Sequence, residues 1–123
     1  MKRAAVLVLF AIACNRAEQP ATTSTAPPPI GSPERGKLLA AQHGCNVCHI
    51  LPGVEGPQGS LGPSLAGVAS RPTISYETVQ NTPANLVQYI QQPASLNPAS
   101  TMPALGVADG DARDIAGYLG TLK

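Results

Sequence analysis

Beyond Phe10 the chain has no phenylalanine and no tryptophan, and its only other aromatic residues are Tyr76, Tyr89 and Tyr118. A domain of ordinary size fills its centre with large apolar side chains, rings prominent among them. Twelve glycines and thirteen prolines among the 123 residues also interrupt the backbone too often for long helices or an aromatic-rich core. Something other than polypeptide is therefore expected to occupy the middle of the fold. The length allows one domain with attachments, since a second core would have too little to bury.

The local signals are helices separated by loops. Ser32, Pro33 and Glu34 form a helix start: a capping hydroxyl, a proline at the first helical position and an acid in the first turn. The pattern predicts a helix from Pro33 to about His43, ended by Gly44. Between Leu51 and Arg71 lie Pro52, Gly53, Gly56, Pro57, Gly59, Gly62, Pro63 and Gly67, which exclude continuous helix or sheet and predict a long wrapping loop. Loops of that length usually enclose something. Thr82 and Pro83 repeat the capping signal ahead of Leu86, Val87 and Ile90, so a short helix is expected from Pro83 to about Gln91, stopped by Pro93. Asp109 opens a last helix in which Ala112, Ile115, Ala116, Leu119 and Leu122 make one apolar stripe. Asp111 and Asp114 favour its positive end and Lys123 its negative end. No strand is expected, and the fold class is all-α.

The chemistry lies in Cys45-Asn46-Val47-Cys48-His49. Two thiols three positions apart can each add to a vinyl group of one haem, and the histidine that follows then lies under the iron. Zinc would want four nitrogen or sulfur ligands, yet beyond Cys14 there are only Cys45, Cys48, His43 and His49, with no second pair downstream. A dithiol redox pair belongs in a strand-to-helix setting that this sequence does not supply. One covalent haem c is the reading that also accounts for the missing core. Met102, the only methionine besides Met1, stands in the loop Thr101-Met102-Pro103 and not in a helical packing stripe, which makes it the candidate for the second axial ligand. His43 reads as an exposed helix-end residue, and Tyr76 and Tyr89 as packing residues.

Taken together these residues resemble the class I cytochrome c family, and more narrowly the cytochrome c domain fused to subunit II of some bacterial haem-copper oxidases. The likeness runs from about Pro33 to Lys123. Gly36 looks like the family's small residue where the first and last helices cross, with Ile115, Tyr118 and Leu119 on the partner side. Gly62-Pro63-Ser64-Leu65-Ala66-Gly67 is similar to the loop whose proline carbonyl accepts the N–H of the proximal histidine, which implies that Pro63 orients His49 and raises its basicity. Gly62 and Gly67 would then let backbone approach the porphyrin. Arg71 stands where the family places an arginine near a haem propionate, and Met102-Pro103 matches the methionine-ligand loop. Four residues after Gly36 the family usually has an aromatic residue, where this chain has Ala40, and Tyr118 is available to fill that space. The segment from Asn81 to Leu86 also resembles the oxidase-fused domain, while the copper-binding part of subunit II is missing.

Residues 1–13 read as an export signal: Lys2 and Arg3, then an apolar run from Ala4 to Ala13 too short to span a bilayer. The run stops at Cys14 after small residues, a pattern that resembles the bacterial lipoprotein signal and implies lipidation of Cys14, although Ala11 stands where leucine is usual. From there to Ser32 the Pro- and Thr-rich sequence has no apolar period and reads as a disordered tether of roughly 25 Å as a random coil. Lys2 and Arg3 apart, basic and acidic residues nearly cancel and are scattered, which excludes nucleic acid as a partner. The expected protein is a monomeric single-electron carrier on the periplasmic side of a membrane, held by its lipid. Its partners would be a donor such as a quinol-cytochrome c reductase and an acceptor such as a terminal oxidase, met through apolar contacts. The alternatives are a haem enzyme or gas sensor with an open distal site, and a purely structural metal-binding lipoprotein. No distal histidine or arginine stands near Met102, which disfavours the enzyme.

Overall fold

The structure is a computed structural model that describes residues 30–123, so the signal segment, Cys14 and most of the tether lie outside the described residues. Five helices carry the fold: α1 (Pro33–Gln42), α2 (Cys45–Cys48), α3 (Pro83–Gln91), α4 (Pro93–Leu96) and α5 (Asp109–Leu119). A one-turn 3-10 helix spans Val68–Ser70, and Thr73–Ile74 (β1) pairs antiparallel with Val79–Gln80 (β2). That small ladder corrects the expectation of no strand. Two residues per strand are too few for an alternating pattern to show in sequence.

Helices α1 and α3 start as their capping residues dictate. Ser32 Oγ accepts from Arg35 N–H and Thr82 Oγ1 from Asn85 N–H, both with proline at the first helical position. Pro93 ends α3 as expected, yet it also opens α4, because proline fits the first turn of a helix as well as it breaks an interior. The last helix stops at Leu119, so Leu122 packs on the core from beyond it and Lys123 does not reach its final turn.

The first and last helices cross at Gly36, which is buried. A Cβ there would overlap the backbone carbonyl of Asp114, so only glycine lets the two backbones come this close. The crossing is then tied by charge. Asp114, buried on α5, accepts Ser32 N–H at 2.7 Å and pairs with Arg35 Nε at 3.2 Å. Gly31 N–H adds a bond to the Arg113 carbonyl, so the chain is already held against α5 just before α1 begins. Ala40 is fully buried, and Tyr118, also buried, donates its hydroxyl to the Pro52 carbonyl at 2.5 Å.

The loop after α2 is ordered by hydrogen bonds back to the cysteine segment. Gly59 N–H reaches the Asn46 carbonyl, Gly62 N–H the Cys48 carbonyl and Leu65 N–H the Ile50 carbonyl, at 2.8–2.9 Å. Gln58 braces it from within, accepting from Leu51 N–H at 2.7 Å and donating to the Val54 carbonyl at 2.8 Å.

Candidate functional site

Ala40, Leu51, Val68, Ile90, Ile115 and Leu119 belong to the buried core and also line a cavity of about 770 Å³. The space that the scarce aromatic residues leave is therefore real and central. Its volume lies in the range of cofactor sites, and its wall is mostly apolar, which suits a large flat hydrophobic group more than an ion.

Cys45, Cys48 and His49 share that wall with Pro63, Arg71 and Met102, so every residue singled out for the site apart from Cys14, which lies outside the described residues, meets at one cavity. Both thiols are free. They sit in the single turn of α2, entered through the left-handed Gly44 and left by the extended His49. Burial pushes the Cys45 thiol up, partly offset by a backbone hydrogen bond, with Cys48 adding a smaller rise. Among the described residues no three histidine, cysteine or acidic side chains converge to hold a metal. His43, half-buried at the end of α1, instead meets Asp111 Oδ2 at 3.3 Å, which corrects its reading as an exposed residue.

His49 is fixed from two sides. Its Nδ1 lies 2.7 Å from the Pro63 carbonyl oxygen. A carbonyl can only accept, so Nδ1 carries the proton and Nε2 keeps its lone pair for a metal. A Cβ on Gly62 would stand 2.6 Å from that Nδ1 and 2.9 Å from Nε2, so the glycine makes room for the imidazole. Gly67 makes no such room for a protein side chain. It has φ 70° and no protein atom within 4 Å of a would-be Cβ, so its observed role is the turn into the 3-10 helix.

Arg71 Nη2 donates to the carbonyls of Ser64 and Ala66, each at 2.8 Å. This clamps the Pro63 loop and leaves Nε and Nη1 for an anionic group at the cavity. Tyr76 is 77% exposed at the cavity mouth and is not a packing residue. Tyr89 lines the cavity, and its hydroxyl lies 2.9 Å from Ser75 Oγ and 2.7 Å from Ser100 Oγ. Nothing in the spacing of Ser75, Tyr89 and Ser100 marks them in sequence as one cluster, since the fold brings them together from three segments.

The family model described as Cytochrome c matches residues 33–123. The chain belongs to the cytochrome c family. Among solved structures, cytochrome c2 from Rhodobacter sphaeroides is similar, with a TM-score of 0.60 at 22% identity, covering 75% of this chain and 96% of that one. The fold is thus that of a small class I cytochrome c, mostly helical. No curated protein matches the chain. For a cytochrome c domain the spacing of Cys45 and Cys48 is that of covalent haem c attachment, and the cavity, the two free thiols on its wall and the oriented His49 fit that group.

Proposed function

We propose that the chain is a one-haem electron carrier in which Cys45 and Cys48 hold the porphyrin by thioether bonds and His49 Nε2 and Met102 Sδ are the axial ligands. The observation that carries this reading is the meeting of the two thiols, the Pro63-oriented imidazole and Met102 at one apolar cavity in the centre of the core. When bound, the haem supplies an iron that changes by a single electron, and histidine with methionine raises its potential relative to other ligand sets. The protein supplies rigidity. Pro63 and Gly62 keep the His49 ring in one orientation, so little has to move when charge changes, and the apolar wall keeps water away. Arg71, with Nε and Nη1 uncommitted, would meet a propionate.

Cys14 would carry lipid on the periplasmic side, and the tether would let the domain swing between a quinol-oxidising donor and a terminal oxidase. The likeness to the oxidase-fused domain supports an oxidase as acceptor, reached here by a separate chain. Val47, Leu61 and Leu105 are exposed at the cavity mouth, in keeping with apolar docking. Carbon monoxide added to the reduced protein tests the ligation: haem bands that stay in place support it, bands that shift mean an open site, and no bands mean no haem. Met102→Ala should convert the first result into the second.

A further inference from the structure

The turn between β1 and β2 is strained. Ser75, Tyr76 and Glu77 take successive left-handed φ angles of 54°, 54° and 68°, which residues with side chains hold only where their surroundings fix them. A turn with glycine would join such short strands without strain. What the observed one achieves is the aim of a hydroxyl. Asn97 Nδ2 donates to Ser75 Oγ at 2.8 Å, and Ser75 Oγ donates to the Tyr89 hydroxyl at 2.9 Å. The Tyr89 hydroxyl in turn shares a hydrogen bond with Ser100 Oγ at 2.7 Å, and that serine oxygen accepts Met102 N–H at 3.3 Å. The hydrogen bonds thus connect Asn97, through Ser75 and Tyr89, to the residue that holds the Met102 backbone. Three segments meet in the relay: the strained turn, α3, and the stretch that contains Asn97, Ser100 and Met102.

We propose that Ser75 is a positioning residue, whose hydroxyl at the tip of the strained turn holds the Met102 loop in place through Tyr89 and Ser100. This rests on Met102 being the axial ligand. The turn and the loop then release together: when Ser75 lets go, Met102 is freed to leave and a small base can take its position.

The test is imidazole binding to the oxidised holoprotein, followed by its absorption spectrum, in the parent, Ser75→Ala, Ser75→Gly and Met102→Ala. Loss of two hydrogen bonds should make imidazole bind about 5- to 30-fold more tightly in both Ser75 variants than in the parent, with Met102→Ala tighter still. Ser75→Gly relieves the backbone while removing the hydroxyl, so agreement of the two assigns the effect to the hydroxyl. Amide hydrogen exchange should quicken at residues 97–102 and not in α5, which a general loss of stability would not produce. If Met102→Ala opens the site while both Ser75 variants exclude imidazole as the parent does, the proposal falls and the ligand assignment stands. If only Ser75→Ala responds, the backbone and not the hydroxyl is responsible, and the proposal falls. If Met102→Ala binds no better than the parent, the ligand assignment falls and takes this proposal with it.

Discussion

Gly62→Ala isolates the packing of the His49 ring. The added methyl would lie 2.6 Å from His49 Nδ1 and 2.9 Å from Nε2, far inside contact distance, and the backbone on both sides of the clash is held by hydrogen bonds. Either the loop lifts or the ring turns. Forcing a methyl into a filled site costs ~1–3 kcal/mol. Losing the Nδ1 bond to Pro63 adds ~0.5–1.5 kcal/mol. The sum of about 1.5–4.5 kcal/mol should lower the melting point of a domain this size by roughly 6–36 °C. Gly67→Ala is the control, because its methyl meets no protein atom while φ 70° still penalises it by ~1–2 kcal/mol. Thermal melts followed by far-ultraviolet circular dichroism, with the haem absorption spectrum taken at each step, read both effects. Gly62→Ala should melt well below Gly67→Ala and alone perturb the spectrum. Equal melting points with unchanged spectra would refute the claim that Gly62 exists to seat the imidazole.

Asp114→Ala should leave Ser32 N–H and Arg35 without their buried partner and destabilise the protein by ~1–3 kcal/mol in chemical denaturation, with Asp114→Asn milder because its carbonyl can still accept from Ser32; equal effects of the two would count against that bond. Burial raises the Tyr118 hydroxyl above its ordinary value of ~10, so above that pH the unfolded chain loses a proton that the folded one keeps. Stability contributed by Tyr118 is therefore present below pH ~10 and falls as pH rises further, and Tyr118→Phe should flatten that alkaline decline in denaturant midpoints at the loss of ~1 kcal/mol near neutral pH.

Much of the site was legible because its chemistry is local. Cys45, Cys48 and His49 sit within five residues, and the caps at Ser32 and Thr82 announce α1 and α3 without any tertiary information. The missing aromatic bulk pointed to a central space, and the cavity lies among the core residues as expected. What was not legible depends on distance in sequence. The hydrogen-bond partner of His43 is Asp111 on the last helix, and no local pattern links them. Gln58 looks like one more polar loop residue until the loop folds back and its amide bridges Leu51 and Val54. Tyr76 carries a ring that composition alone would bury, yet the left-handed turn it occupies turns it outward. Gly62 and Gly67 look alike in sequence, and only the position of the His49 ring separates them.

The central claim is that a covalently attached haem occupies the cavity, and intact mass after full denaturation and organic extraction tests it most directly. A coloured polypeptide heavier by one haem than a colourless Cys45→Ala, Cys48→Ala double variant, once the two substitutions are allowed for, is the expected result. A colourless polypeptide that differs in mass from that variant only by the two substitutions, still melting cooperatively, would contradict it.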